Sequence, residues 1–145
     1  MFHNAKSNQS HSRKYIGILF EINNLKYFAP LSSFKIKHKK LTESIDFIKI
    51  KDMAVINLNN MFPVCEGVYK LADINGEKDL QYKYLLLNEL RIIRQKQNLI
   101  IENAKKLYTH KVKNGDKSKL AKRCNNFIEL QSKCIEYTNF INKNL

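Results

Sequence analysis

Short apolar segments separated by turn residues dominate the first half of the chain, a pattern typical of antiparallel strands. β-branched and aromatic residues fill positions 15–22 and return at positions 25–29, and Asn23 and Asn24 between them suit a tight hairpin turn. Pro30 is expected to end the second strand, because proline cannot donate a hydrogen bond to a neighbouring strand. This region therefore predicts a β-hairpin.

A second hairpin is predicted from the apolar segments 45–50 and 53–58, with its turn at residues 51–52. The stretch between the two hairpins is loop-like and rich in lysine. Pro63 is expected to interrupt the chain again, and residues 67–72 have the composition of one further short strand. The first half therefore predicts four or five antiparallel strands.

The second half of the chain has the spacing of amphipathic helices. Apolar residues recur every three or four positions and predict one long helix over residues 79–112. Asn114 and Gly115 form a typical helix stop, and Asp116 can cap the next helix. The same spacing then returns and predicts a second helix, which should pack against the first as an antiparallel pair. Its apolar positions are Leu120, Cys124, Phe127, Cys134, Thr138 and Ile141, with Gln131 as a polar gap.

Length and composition fit a single domain over residues 1–145, because 43% of the residues are apolar and can form a core. The polar residues 1–12 are expected to be a flexible arm. The remainder predicts an α+β fold, in which a small, twisted antiparallel sheet is followed by a long helix pair at the C-terminal end.

Net charge is the strongest signal in the composition. The chain has 26 Lys and Arg against 13 Asp and Glu, a net charge of +13. Nineteen of the bases lie in two stretches, residues 1–42 and residues 91–123, so a groove between these stretches would collect phosphates. Three interpretations remain open on this pattern: a nucleic-acid partner, an anionic membrane surface, and a solvated surface without a partner.

Several classes of protein are excluded by features that the sequence lacks. No apolar run approaches the roughly 20 residues that span a bilayer, and no secretory signal pattern is visible. The three cysteines form no CxxC pair, which argues against a disulfide framework and a zinc site. The few acids show no spacing typical of metal-dependent nucleases, and the glycine-rich nucleotide loops are absent. We therefore expect a cytoplasmic protein that uses no metal and no other cofactor.

One segment carries candidate chemistry, because Ser32, Ser33, Lys35 and His38 follow closely on Pro30. Such a cluster suits metal-free RNA cleavage, since RNA supplies its own nucleophile, the 2′-hydroxyl. The lysine could stabilise the charge that builds on the phosphorane, and the serines could donate to its oxygens. The alternative is structural: the two serines cap a turn and satisfy backbone amides.

The same segment resembles the signature of the ToxN/AbiQ family, the endoribonuclease toxins of type III toxin–antitoxin systems. The resemblance extends over nearly the whole chain from about Arg13 onward, in the same order. The stretches that carry it are YIGILFEIN from Tyr15, KYFAPLSS from Lys26, KIKH from Lys35, SIDFIKI from Ser44, AVINLNNMFPV from Ala54, YKYLLLNELRIIR from Tyr82 and CNNF from Cys124.

The resemblance implies a compact, barrel-like antiparallel sheet similar to that of the MazF and Kid toxins. It implies metal-independent cleavage of RNA that leaves a 2′,3′-cyclic phosphate and a 5′-hydroxyl. The implied partners are cellular mRNA and an RNA antitoxin, whose repeats are cut into pseudoknots that hold the toxin in closed, inactive hetero-oligomers. It implies no DNA or membrane partner, and a role in phage defence.

The resemblance also implies site residues. The catalytic residues carried over are Ser32, Ser33, Lys35 and Arg13, the basic residue ahead of the first predicted strand. The implied RNA-binding residues are Lys14, Tyr15, Lys37, His38, Lys39, Lys40, Arg91, Arg94, Lys119, Lys122 and Arg123.

Two departures from the family pattern affect these expectations. The family usually carries a longer segment with aromatic and basic residues before the first strand, and it often has proline where this chain has Phe34 and Ile36. The loop after the serines is therefore expected to be less rigid.

The alternative function is a catalytically weak RNA-binding protein that only sequesters a structured RNA.

Overall fold

The structure is a computed structural model that describes residues 1–4 and 13–144, which form eight strands and four helices. The strands are β1 (Phe2–Asn4), β2 (Lys14–Ile16), β3 (Glu21–Ile22), β4 (Leu25–Ser33), β5 (Phe47–Ile50), β6 (Ala54–Asn57), β7 (Phe62–Val64) and β8 (Tyr69–Leu71). The helices are α1 (Leu80–Gln95), α2 (Gln97–Asn114), α3 (Lys119–Arg123) and α4 (Phe127–Lys143), and a 3₁₀ turn spans Ile36–Lys40.

The predicted α+β class is confirmed, with an antiparallel sheet followed by C-terminal helices. The strands follow the order β5-β6-β4-β2-β1-β8, and β3 and β7 also pair with β4. Because this path ends at β5 on one side and at β8 on the other, the sheet does not close into a barrel.

Strand β4 is longer than its proline predicts. It continues through Pro30 to Ser33 and pairs with β2, β3, β6 and β7. On one side, β7 covers Lys26 to Phe28 and β6 covers Leu31 to Ser33, so Pro30 falls between the two partners. The expectation that Pro30 ends the strand is wrong, because no residue of β6 or β7 needs the amide hydrogen that proline lacks.

Both predicted hairpin turns are confirmed, but the strand expected over residues 15–22 is wrong as one element, because β2 ends at Ile16 and β3 begins at Glu21. Asn23 and Asn24 have φ of 53° and 64°, the left-handed pair that a two-residue hairpin turn needs and that asparagine tolerates. Lys51, with φ of 50°, starts the turn between β5 and β6, which is closed by a hydrogen bond from the amide of Met53 to the carbonyl of Ile50.

Two strands appear where the sequence pattern predicts none. Phe2–Asn4 form β1, which pairs with both β2 and β8, within the segment expected to be a flexible arm. The rest of that arm, residues 5–12, lies outside the described residues. Phe62–Val64 form β7 despite Pro63, because β7 pairs with β4 alone and Pro63 lies on an edge strand. The short strand expected within residues 67–72 is confirmed as β8.

The predicted long helix is divided into α1 and α2 at Lys96, so the single-helix prediction is wrong. The Lys96 backbone leaves helical geometry with φ of −94° and ψ of 6°. Its ammonium reaches across to the sheet, where it donates to Glu43 Oε1 and to the carbonyl of Lys49, each at 2.8 Å. The contact of Lys96 with the sheet side therefore coincides with the division between α1 and α2. The amide of Ile100 still donates to the carbonyl of Lys96, so the apolar stripe continues from α1 into α2.

The second predicted helix is also divided, into α3 and α4. Asn126 caps α4 by accepting a hydrogen bond from the amide of Glu129 at 3.2 Å. Asn125 turns away from the helix, because its amide donates to the Asn59 carbonyl and its side chain donates to the Met61 carbonyl. The apolar period continues through this point, but the helix is interrupted because Asn125 bonds outside the helices and Asn126 caps the start of α4.

The core lies between the sheet and the helices. Side chains of β4, β5 and β6 on one face of the sheet pack against α1, α2 and α4, with Tyr27, Ile50, Leu107 and Phe127 almost completely buried. Gln131, the polar residue within the apolar stripe of the second predicted helix, is hydrogen-bonded in this core. Its side-chain amide donates to the hydroxyls of Tyr27 and Tyr108 at 2.7 and 2.8 Å. None of the helices in the described part of the chain is both long and apolar enough to cross a lipid bilayer.

Candidate active site

The four predicted catalytic residues lie at one end of two neighbouring strands. Lys14, the first residue of β2, is opposite Leu31 of β4. Arg13 precedes Lys14 and Ser32 follows Leu31, so both residues lie at the same end of the β2–β4 pair. Ser33 ends β4, and the structure therefore brings Arg13, Ser32, Ser33 and the following Lys35 to the same region of the sheet.

The accessibility of these residues matches a surface site. Arg13, Ser33 and Lys35 are exposed and Ser32 is partly buried. The backbone between the serines and the lysine is fixed, because the amide of Phe34 donates to the carbonyl of Met53 at 3.2 Å. The site therefore consists of two cations and two hydroxyls on a backbone that is held by the neighbouring strand.

The 3₁₀ turn that follows carries the densest positive charge of the site. Lys37, Lys39 and Lys40 are exposed on it, whereas His38 is buried with 8% of its surface accessible. No acid lies in the first turn of this segment. An RNA strand at Ser33 would therefore meet cations on the turn that could pair with its phosphates.

Lys14 is held on the helix side of the sheet rather than free in solvent. Its ammonium lies 3.7 Å from Glu89 Oε2 on α1 and 4.6 Å from the centroid of the Tyr82 ring. Glu89 is only 3% exposed, and its burial raises the pKa of its carboxyl although Lys14 opposes this. This contact joins β2, next to Arg13, to the first helix.

Arg123 is also engaged with an acid. Its guanidinium donates two hydrogen bonds to Asp46, from Nε at 2.9 Å and from Nη2 at 3.0 Å. Burial disfavours the charge of Asp46, but hydrogen bonds from Arg123 and Ser44 outweigh it, and the pKa of the Asp46 carboxyl is lowered. This bidentate pair connects the end of α3 to the start of β5.

We expect Arg123→Gln to destabilise the fold by about 2 kcal/mol, since it leaves a buried carboxylate with only the Ser44 hydroxyl and the Asp46 amide as partners. The half-exposed position of the guanidinium reduces the effect. The pair stabilises the protein above the ordinary pKa of aspartate, and that contribution is lost as the pH falls through the lowered pKa of Asp46. Urea unfolding at neutral pH and at a pH below the lowered pKa of Asp46 measures both effects, and the two proteins should converge at the lower pH.

The matched control for this prediction is Lys119→Gln, which removes an exposed base from the same helix. Its stability should change by less than about 0.5 kcal/mol at either pH. An Arg123→Gln protein as stable as the control would contradict a stabilising role for the pair.

The remaining predicted RNA-binding residues lie on three elements. Tyr15 packs edge-on against Phe62, with ring centroids 5.3 Å apart. Exposed basic residues lie on α1 and on α3; they are Arg91, Arg94, Lys119 and Lys122. Within residues 1–4 and 13–144, no hydrogen bond or ion pair joins these four to Ser32, Ser33 or Lys35.

The sequence did not predict the two acids that form ion pairs with predicted RNA-binding residues, Glu89 with Lys14 and Asp46 with Arg123. Glu89 offered a signal, because it lies three residues after Leu86 and four before Ile93 and therefore on the buried stripe of α1. Asp46 offered none, since a pair 77 positions apart has no local pattern. Among residues 1–4 and 13–144, no three His, Cys, Asp or Glu side chains converge on one point.

Comparisons with known sequences identify relatives over most of the chain. The sequence model of a family described as Toxin ToxN, type III toxin–antitoxin system, matches residues 1–134. Endoribonuclease ToxN of Bacillus thuringiensis subsp. kurstaki is 34% identical over 138 residues, covering 89% of this chain and 71% of that protein. Endoribonuclease ToxN of Pectobacterium atrosepticum is 33% identical over 90 residues, covering 57% of this chain and 53% of that protein.

Solved structures share the fold. A structure of a bacterial antiviral system regulated by a processed non-coding RNA superposes with a TM-score of 0.76 at 26% identity, covering 92% of this chain and 84% of that chain. A type III toxin inhibited by a non-coding RNA pseudoknot gives 0.72 at 29% identity, with 92% and 83% covered. The lactococcal anti-phage endoribonuclease AbiQ gives 0.74 at 17% identity, with 92% and 84% covered, a likeness of fold alone.

Proposed function

We propose that this chain, which belongs to the ToxN toxin family of type III toxin–antitoxin systems, is an endoribonuclease. It cleaves RNA by attack of the 2′-hydroxyl and leaves a 2′,3′-cyclic phosphate and a 5′-hydroxyl. The observation that supports the proposal is the β2–β4 register, in which Arg13 lies at the same end of the strand pair as Ser32, Ser33 and the following Lys35.

The chemistry of the assembled groups supports this reaction. RNA brings the nucleophile, so the protein has to bind the phosphate, stabilise the charge that develops on it and assist proton transfer. In this proposal Lys35 and Arg13 supply the positive charge that stabilises the phosphorane, and the hydroxyls of Ser32 and Ser33 donate to its non-bridging oxygens. Interactions that strengthen in the transition state raise the rate of the chemical step, which is the role we assign to these four groups.

Cleavage should proceed at the same rate in excess EDTA as in magnesium buffer. The motivation is that the groups assigned to charge stabilisation are cationic or hydroxyl side chains of the protein itself. The measurement is cleavage of a repeat-containing RNA, with end analysis for cyclic phosphate, after extensive dialysis against the chelator. Loss of cleavage in EDTA that magnesium or zinc restores would overturn the metal-free mechanism.

The partners that we propose are RNAs. The relatives include a toxin described as inhibited by a non-coding RNA pseudoknot, and the net charge of +13 on this chain favours binding to a polyanionic partner. We propose that its own repeat RNA antitoxin is processed by the chain and then inhibits it in a closed toxin–RNA assembly, with cellular mRNA as the target of the free toxin. Defence against phage would be the setting, as described for two of the structural relatives.

Turnover separates this proposal from that of a protein that only sequesters RNA. The chain is incubated with RNA transcribed from the region upstream of its gene, where we propose that the antitoxin repeats are encoded, and both mobility and product ends are recorded. Mobility shifts with cyclic-phosphate ends support the endoribonuclease. Mobility shifts without any cut product, from a folded protein, would replace it with the RNA-binding alternative.

A further inference from the structure

His38 is the buried residue of the basic turn, and its ring is held on two sides. The centroid of its imidazole is 5.5 Å from that of Phe34 and 5.7 Å from that of Phe47 on β5. A side chain with 8% of its surface accessible has little area left for an RNA strand, in contrast to the exposed lysines that precede and follow it. The buried position of the imidazole indicates a task within the turn.

The imidazole makes a specific hydrogen bond with the backbone of Lys35. Nδ1 of His38 accepts from the amide of Lys35 at 2.8 Å, and the amide of His38 donates to the carbonyl of Lys35, also at 2.8 Å. The peptide groups on both sides of Lys35 are therefore held by one residue. Because Nδ1 accepts, the neutral ring carries its proton on Nε2.

We propose that His38 is a positioning residue for the reaction: its neutral imidazole fixes the backbone of Lys35 so that the Lys35 ammonium faces the scissile phosphate. This inference rests on the proposed endoribonuclease activity and assigns His38 no contact with the RNA. A cation that stabilises a transition state must be held in place before the charge develops, and small displacements of such groups reduce rates strongly.

Protonation of His38 would remove this support, because an imidazolium donates at both ring nitrogens and cannot accept from the Lys35 amide. The charged groups around the ring are Lys35 and Lys37 on its own turn and Lys49 on β5. Burial and these three cations lower the pKa of His38 below its ordinary value. Cleavage should therefore persist to mildly acidic pH and then decline as His38 becomes protonated.

Two substitutions separate the hydrogen bond from the packing of the ring. His38→Phe keeps an aromatic ring between Phe34 and Phe47 but removes the acceptor. His38→Asn loses the ring but places a carbonyl oxygen near the position of Nδ1. A role in packing alone predicts that the phenylalanine variant is the more active, whereas positioning of Lys35 predicts that the asparagine variant is.

We expect His38→Phe to lower kcat by about tenfold to a hundredfold with KM changed by less than about threefold. His38→Asn should retain more activity than His38→Phe and, unlike the wild type, should show no loss of kcat as the pH falls below the ordinary pKa of histidine, about 6.5, and through the lowered pKa of His38. Cleavage of repeat-containing RNA over this pH range, with the melting temperature recorded at each pH, tests all three proteins.

Wild-type kcat in His38→Phe, or an acid decline that persists in His38→Asn, would overturn the positioning role while the wild-type activity stands. If His38→Phe does not fold, the pH profile of His38→Asn decides alone. A folded wild-type protein that cuts no RNA would instead overturn the proposed function, and the positioning role with it.

Discussion

Lys35→Ala should lower the rate of RNA cleavage by about 10²–10³-fold, the usual cost of losing one group that stabilises a developing charge. Lys35 is exposed at the end of β4, so its truncation removes no core contact, and the melting temperature should stay close to that of the wild type. Single-turnover cleavage measures the chemical step, and thermal unfolding reports the fold.

The matched control for Lys35 is Lys39→Ala, an exposed lysine on the same turn that carries the same charge. It should weaken RNA binding slightly and leave the single-turnover rate at saturating protein unchanged. Ser33→Ala should behave like Lys35→Ala, with Ser32→Ala giving the smaller effect. A folded Lys35→Ala protein that cleaves at the control's rate would remove Lys35 from the site.

The affinity for single-stranded RNA should fall about a hundredfold when salt rises from about 50 mM to about 200 mM. Five exposed cations, Arg13, Lys35, Lys37, Lys39 and Lys40, lie at or beside the site. If each neutralises one phosphate, the slope of log K against log salt is about −3.5, since each contact in a single strand contributes about −0.7. Filter binding with the Lys35→Ala protein, which is expected to cleave very slowly, measures this slope. Because that variant lacks one of the five cations, its slope should be less steep by about 0.7.

A triple alanine variant at positions 37, 39 and 40 should make that slope less steep by about two. The control is the double variant Lys70→Ala and Lys78→Ala, which removes exposed lysines outside both basic stretches and should leave the slope unchanged. An affinity that hardly varies with salt would remove the electrostatic basis of RNA binding. Equal slopes for the triple variant and the control would place the contacts elsewhere on the surface.

Local chemistry made the hairpins and the site segment predictable. Asn23 and Asn24 tolerate the left-handed backbone of a two-residue turn, and this preference can be inferred from their side chains alone. The cluster from Ser32 to Lys35 was found for a similar reason, because hydroxyl and ammonium groups close together in sequence stay close in any fold. Their alignment with Arg13 could not be inferred in this way, since it depends on the β2–β4 register.

The errors arose where a tertiary contact competes with a local preference. Apolar periodicity does not record that Lys96 reaches Glu43 on the sheet side, or that Asn125 bonds to the backbone near Met61, and both helices divide at these contacts. The prediction that Pro30 ends the strand was wrong for a related reason. Pro30 lies between the part of β4 that pairs with β7 and the part that pairs with β6, where neither strand requires an amide donor. Isolated segments cannot reveal which of their polar groups will find distant partners.

The pairing of β4 with four other strands has a consequence for regulation. Ser32 and Ser33 pair with Val55 and Ala54 of β6, and the preceding Leu31 pairs with both β2 and β6. An inhibitor that distorts the site would have to break this pairing, whereas an inhibitor that occupies it meets an exposed, positively charged surface. Control of this protein is therefore expected to operate by shielding the site, and release of the shield would restore a site that needs no refolding.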